Sequence, residues 1–91
     1  MNKKRDRLEV IFDFLCVIRD HHNSIKRTPL LRKTNLSSQS FIYYFDELLA
    51  KEFIRQITDN QGKTYITLSD KGFAFLEKYA LIKGFIEEFE L

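Results

Sequence analysis

Residues 28–49 read TPLLRKTNLSSQSFIYYFDELL, and this stretch decides the fold. Thr28-Pro29 is a strong helix start, because a Thr side-chain oxygen can cap free N–H groups and Pro fits the first helical position. The pattern predicts a short helix over 29–34, a tight turn at Asn35-Leu36 and a longer helix over 38–51 whose N-cap is Ser37. Two helices joined by a turn of a few residues are typical of a helix-turn-helix.

The segments on either side predict two more helices and a hairpin. Apolar residues at three- and four-residue spacing predict a first helix over 6–22, and residues 25–27 read as a short strand. Strand-forming residues on both sides of a turn predict a β-hairpin over 53–68, and Ser69 caps a last helix over 70–91. We therefore expect one domain over 1–91 of the α+β, mainly α, class: a winged helix-turn-helix with a long C-terminal helix.

The size and residue content of the chain argue against an enzyme. A chain of 91 residues has a thin core, and a catalytic cleft would have to be cut from it. The sequence shows no glycine-rich phosphate loop, zinc-ligand spacing or nucleophile–base pair. His21 and His22 would point about 100° apart on a helix, so they cannot share a metal alone. We expect no catalytic residue, no metal and no cofactor.

The charge is uneven along the chain. Residues 1–33 carry nine basic and four acidic residues, whereas residues 34–91 carry six basic and nine acidic ones. A basic N-terminal third suits a polyanion such as nucleic acid, although a solvated face is the alternative. Asp13 interrupts the only apolar run that follows Lys3 to Arg7, so we expect no membrane segment and a cytoplasmic protein. The single Cys16 favours a packed thiol, and a disulfide to a partner's Cys16 stays open.

Nine Phe and four Tyr exceed what so small a core easily hides, which suggests burial against a second copy. The last helix has a seam with spacings 4, 3, 4, 3, as in a heptad repeat. A second stripe on the first helix would support this seam, because two heptads alone hold no coiled coil. The alternative is that the seam packs on its own domain. The predicted dimer interface comprises Val10, Phe14, Val17, Phe75, Tyr79, Ile82, Ile86 and Phe89.

Three segments carry a resemblance to a known family. They are Thr28-x-Leu-Leu-x-Lys-x-Asn35-Leu36-Ser37, Tyr44-x-x-x-Leu48-Leu49-x-Lys-x-Phe-Ile54 and Tyr65-Ile-Thr-Leu-Ser-Asp-Lys-Gly72. Over about residues 7 to 80 the chain resembles small archaeal winged-helix DNA-binding proteins, some of which dimerise through antiparallel C-terminal helices. The resemblance implies a homodimeric, nucleoid-associated transcriptional regulator whose partner is double-stranded DNA. A last helix shorter than the arm of the chromatin-type members favours a compact dimer.

In this architecture the third helix enters the major groove of DNA, and the β-hairpin, called the wing, contacts the phosphate backbone of DNA. Gln39 suits adenine and Ile42 a thymine methyl group, but no Arg or Lys lies on the outward face, so we expect weak or A·T-leaning sequence preference. A basic arm over residues 1–5, extending towards Arg7, would add phosphate contacts. The alternative function is a protein–protein interaction module without DNA binding. The predicted DNA contacts are Arg27, Thr28, Arg32, Lys33, Ser37, Ser38, Gln39, Ile42, Tyr43, Asn60, Gln61 and Lys63.

Overall fold

The computed structural model describes residues 6–91, and the predicted arm over 1–5 lies outside the described residues. Four helices and a two-stranded antiparallel hairpin follow one another in winged-helix order, which confirms the predicted fold class. The elements are α1 (Arg7–Asp20), α2 (Arg27–Thr34), α3 (Ser38–Ala50), β1 (Ile54–Thr58), β2 (Thr64–Leu68) and α4 (Asp70–Glu88).

Helix α1 begins with a capping box and ends two residues before the predicted boundary. The Asp6 carboxylate accepts from the Glu9 N–H at 2.8 Å, and the Glu9 carboxylate accepts from the Asp6 N–H at 3.3 Å. The helix stops at Asp20 because His22 and Asn23 take left-handed backbone angles, with φ of 59° and 55°. The Asn23 side-chain oxygen then accepts from the Leu68 N–H at 2.7 Å and ties this turn to β2.

Helix α2 begins two residues earlier than predicted, and the predicted strand over 25–27 is reduced to a single bridge residue. Helix α2 begins at Arg27 with Lys26 as N-cap, so Thr28 does not cap it. Pro29 occupies the third helical position, which is tolerated because the N–H groups of a first turn have no partner within the helix. Only Ile25 pairs with the hairpin, through two backbone hydrogen bonds of 3.2 and 2.8 Å with Ile66.

The aromatic core covers both faces of α1, which corrects the predicted dimer interface. Phe14 is fully buried in one chain, and its ring stacks on that of Phe41, 5.4 Å away between centroids. Val10 is also buried, and Val17 is half-buried against the core. The prediction failed because α1 is the central helix and packs on α2, α4 and β2 at once. Leu8 is 50% exposed in the first turn of α1.

The seam predicted along α4 divides into two parts. Phe75 packs edge-on against Phe53, and Tyr79 lies 5.0 Å from the Phe12 ring of α1, so both rings have partners within the chain. Beyond Ala80 the large apolar side chains of α4 are exposed, although Lys83 Nζ still lies 5.1 Å from the centre of the Phe12 ring of α1. We call the apolar residues there the distal apolar face; they are 42% to 71% exposed and comprise Leu81, Ile82, Phe85, Ile86 and Phe89.

Candidate nucleic-acid interface

Helix α3 is held by one face and exposes the other. Phe41, Phe45 and Leu48 are buried in the core. The opposite side carries four of the residues predicted to read DNA, with Ile42 46% and Tyr43 61% exposed. Ser38 and Gln39 are exposed in the first turn, just after Ser37, whose hydroxyl caps the helix by accepting from the Ser40 N–H at 3.1 Å. The predicted N-cap is confirmed, and α3 presents a ridge of polar and apolar side chains to solvent.

Arg27 closes the junction between α2 and α3. Its guanidinium lies 4.6 Å from the centre of the Phe45 ring and 5.6 Å from that of Phe41, a cation–π arrangement. The rings are buried and the arginine is exposed, so the guanidinium covers the core from outside. Arg27 therefore has a structural partner in addition to any phosphate it could meet.

The far end of α3 is attached to α1 by an ion-pair cluster. Both guanidinium nitrogens of Arg7 donate to the Glu47 carboxylate, one of them at 2.7 Å, and Lys51 Nζ donates to the same carboxylate at 2.9 Å. The hydrogen bonds from Arg7 and then Lys51 lower the pKa of Glu47 to about 2, and the carboxylate raises the pKa of Arg7. The sequence places Arg7 next to a basic arm that would contact phosphates. In the structure Arg7 instead forms an ion pair with Glu47 of α3.

The hairpin has a rigidly bonded tip. The Asp59 side-chain oxygen accepts from the N–H groups of both Gln61 and Lys63 at 2.9 Å, and the Asp59 N–H donates to the Lys63 carbonyl at 2.9 Å. Gly62 takes a φ of 80°, which its missing side chain permits. The turn therefore presents the exposed side chains of Asn60, Gln61 and Lys63 on a defined backbone.

The remaining predicted phosphate contacts lie at different places around α2. Arg32 and Lys33 are exposed in its last turn, and Thr28 is exposed in its first turn. Lys33 lines a depression with Val17, Asp20 and His21, so its side chain lies towards the end of α1. The structure thus brings Ser38, Gln39, Ile42 and Tyr43 onto one face of α3, whereas the predicted cations are spread over α2 and the hairpin tip.

Two exposed cations beside the hairpin were missed at the sequence level. Lys26 Nζ lies 5.7 Å from the centre of the Tyr65 ring of β2, and Arg55 is exposed on β1. Lys26 directly precedes Arg27 and could have been found as part of that basic pair. Arg55 gave no such signal, because an isolated charge on a strand is ordinary.

The other reactive groups show no site chemistry. Burial raises the pKa of the half-buried Cys16 thiol, which makes it a poorer nucleophile. Across residues 6–91, no three His, Cys, Asp or Glu side chains are grouped so that they could hold a metal ion. No helix in that range combines the length and apolar character needed to cross a membrane.

Comparison with known families decides the classification. A family model described as winged helix-turn-helix matches residues 4–87. The chain belongs to the winged helix-turn-helix family. An uncharacterized protein of Methanocaldococcus jannaschii is 36% identical to it over 75 residues, which is 82% of this chain and 32% of that protein. This winged helix-turn-helix chain therefore spans about a third of the length of that relative.

Solved structures of transcriptional regulators share the fold of this winged helix-turn-helix chain. MepR, a regulator of the Staphylococcus aureus efflux pump MepA, superposes with a TM-score of 0.75 at 16% identity, over 87% of this chain and 59% of MepR. PcaV from Streptomyces coelicolor gives 0.74 at 11% identity, over 87% and 59%. A mutant MarR from E. coli complexed with operator DNA gives 0.64 at 21% identity, over 75% and 49%. The chain spans about half to three fifths of these regulators.

Proposed function

We propose that this winged helix-turn-helix protein is a homodimeric transcriptional regulator that binds duplex DNA. Helix α3 would lie in the major groove, and the hairpin tip and nearby cations would contact phosphates. The observation that carries the proposal is the exposed face of α3 at Ser38, Gln39, Ile42 and Tyr43, on a helix whose opposite face is buried. Fold likeness to MepR and PcaV, and to MarR in a complex with operator DNA, supports it by analogy. Such a role places the protein in the cytoplasm, at the nucleoid.

The side chains on the α3 face predict that binding depends more on contacts to the DNA phosphates than on contacts to specific bases. Gln39 can bond the N6 and N7 atoms of adenine, and Ile42 can pack on a thymine methyl group. The outward face carries Asp46 and no Arg or Lys, so the common guanine contact is missing. Phosphate contacts from residues such as Arg32 and Lys63 would supply most of the affinity, with a preference that leans to A·T.

The distal apolar face supports the homodimer. It holds five large apolar side chains that one chain leaves exposed, and soluble monomers rarely expose such continuous patches. A second copy would bury the same surface on both subunits around a two-fold axis. Two α3 helices could then meet successive major grooves on one side of the duplex if they lie about 34 Å apart.

A salt titration of binding to random and A·T-rich duplexes tests DNA binding. About six phosphate contacts per dimer predict that log K falls with log salt at a slope near −5. Lys63→Ala and Arg32→Ala should weaken all sequences alike and reduce the slope by about two per dimer for each position, because each lost phosphate contact contributes about one. Arg19→Ala, which removes an exposed cation paired with Asp20 on α1, serves as the matched control. An affinity weaker than about 1 mM at low salt would contradict the proposal.

A second candidate function is a protein-interaction module that does not bind DNA. The exposure of Ile42 and Tyr43 on a face without cations favours it. The two candidates differ in the same titration, because an interaction module would show neither measurable duplex affinity nor a salt slope. Tyr43→Ala would then leave every nucleic-acid measurement unchanged.

A further inference from the structure

A groove at the junction of α1, α3 and α4 combines an apolar floor with a basic rim. We call it the basic groove; it has a volume of about 240 Å³ and lies between the first turn of α1, the end of α3 and the start of α4. Leu8, Ile11, Leu48, Phe53 and Phe75 contribute apolar surface. The rim carries three cations, Arg7, Lys51 and Lys71, and a single carboxylate, Glu47.

Each rim cation is held in place by a contact within the chain. Lys71 Nζ donates to the Lys51 carbonyl at 2.8 Å and lies 4.6 Å from the centre of the Phe53 ring. Arg7 and Lys51 share the carboxylate of Glu47. The rim therefore keeps an excess of positive charge beside exposed apolar surface, which suits an occupant that is both apolar and acidic.

The last turns of α4 have this composition. Beyond Lys83 the described chain holds no basic residue, and it carries three acids, Glu87, Glu88 and Glu90. The rings of Phe85 and Phe89 are each 57% exposed and pack on each other, 4.9 Å apart between centroids. This acidic, aromatic segment over 85–90 is called the tail below.

The tail cannot reach the groove of its own chain. Phe75 lies in the groove and Phe89 in the tail, fourteen positions later in the chain, which corresponds to about 21 Å of helix. Helix α4 runs without interruption from Asp70 to Glu88, so it cannot fold the tail back. An occupant with the composition of the tail must come from another molecule.

Helical spacing shows how a second copy would supply it. Phe75 lies seven residues before Ile82, and Phe89 lies seven residues after it, so all three share one side of α4. Two α4 helices paired antiparallel around Ile82 would bring Phe89 of one copy against Phe75 of the other. The same pairing brings each acidic tail to the basic rim, and two-fold symmetry makes the contact twice.

We propose that the basic groove is the docking site for the tail of a second copy of this chain. This inference rests on the proposed homodimer and adds its register and its charged contacts. Phe89 of the partner would cover Phe75 and Leu8, while the partner's Glu88 and Glu90 would face Lys71, Lys51 and Arg7. Salt should weaken the dimer, because the contacts between tail and rim are electrostatic and partly exposed.

Two charge-reversal variants test the docking by sedimentation of the full chain. The groove variant is Lys71→Glu, and the tail variant is the pair Glu88→Lys and Glu90→Lys. In a homodimer of either variant, like charges meet at both symmetric contacts between tail and groove. Each variant should therefore raise the Kd of its own homodimer at least about tenfold. Mixed in equal amounts, the two variants should form a heterodimer about as tight as the wild-type dimer, because both of its contacts are complementary again.

Glu77→Lys is the matched control, since it reverses an exposed acid of α4 that lies by Arg19, outside the basic groove, and should leave the dimer Kd unchanged. Circular dichroism of each variant checks that the helices form. If the wild-type chain dimerises and neither variant changes the dimer Kd, the proposed docking site is wrong but the homodimer is not. A wild-type chain that stays monomeric at all concentrations would overturn the homodimer as well, whatever the DNA titration shows.

Discussion

Single residues at the start of α4 join the hairpin to the last helix. The Ser69 hydroxyl donates to the Glu52 carbonyl at 2.6 Å and accepts from the Gly72 N–H at 3.2 Å. Gly72 is buried, and a Cβ atom there would collide with the carbonyl oxygen of Phe53. Both positions in the Leu-Ser-Asp-Lys-Gly segment thus serve the close approach of α4 to the chain before β1.

Gly72→Ala should lower the free energy of unfolding by about 1–3 kcal/mol, because the backbone of Phe53 must move to admit the methyl group. Gly84→Ala is the matched control in the same helix. Nothing lies within 4 Å of a Cβ at Gly84, so alanine there should raise stability by about 0.5–1 kcal/mol through its better helix propensity. Urea unfolding of the two variants measures both effects, and equal values would contradict the close packing assigned to Gly72.

At the scale of the elements, α3 is positioned from both ends. Arg27 of α2 covers Phe45 near the middle of the helix, and Arg7 of α1 pairs with Glu47 in its last turns. Phe14 of α1 stacks on Phe41 in the N-terminal half of the helix. The exposed face of α3 therefore takes its orientation from three neighbouring contacts with α1 and α2.

The pairing of Glu47 with Arg7 and Lys51 predicts a pH-dependent stability. The pKa of this carboxyl falls from an ordinary 4.5 to about 2 in the folded chain, so its contribution is complete above about pH 4.5. It is lost as the pH falls from 4.5 towards 2, because the unfolded chain then binds the proton more readily. Wild type should exceed Glu47→Gln in unfolding free energy at pH 6, and the gap should narrow below pH 4.5. Glu77→Gln, which removes an exposed acid of α4 outside this cluster, is the matched control.

The whole molecule is elongated, with principal extents of 50 × 28 × 21 Å. The long dimension reflects an α4 that continues past Tyr79, the last of its rings to pack on α1. The distal apolar face lies on that extension and is the largest group of exposed apolar side chains along α4. The exposed apolar side chains thus lie on the part of α4 through which we propose that two copies of the chain associate.

Ile82→Asp should convert dimers to monomers, because it places two carboxylates at the centre of the antiparallel pair. Since Ile82 is 54% exposed, the variant should keep its helical content. A monomer loses the second half-site, so affinity for a duplex with two half-sites should fall by about 10²-fold. Ile57→Asp makes the same change at an isoleucine that is 50% exposed on β1, and its sedimentation should match wild type. An unchanged mass for Ile82→Asp would contradict the assigned interface.

The elements of this protein follow from local signals in its sequence. Ser37 and Ser69 cap their helices with their own hydroxyls, and Asp59 and Gly62 form the hairpin turn within five residues. Each of these contacts joins residues close in the chain, so the residue types alone predict them. The fold class and the outward face of α3 were predictable for the same reason.

Tertiary structure decided which faces are covered. Helical spacing places Phe14 and Phe75 on stripes, but only packing shows that Phe41 and Phe53 of the same chain cover them. The Arg7–Glu47 pair joins residues forty positions apart, and no local pattern marks it. A periodic sequence determines the angle of a side chain on its own helix. What meets that side chain depends on how the helices lie in space, and this is why packing within the chain covers Phe14 and leaves Ile82 exposed for a partner.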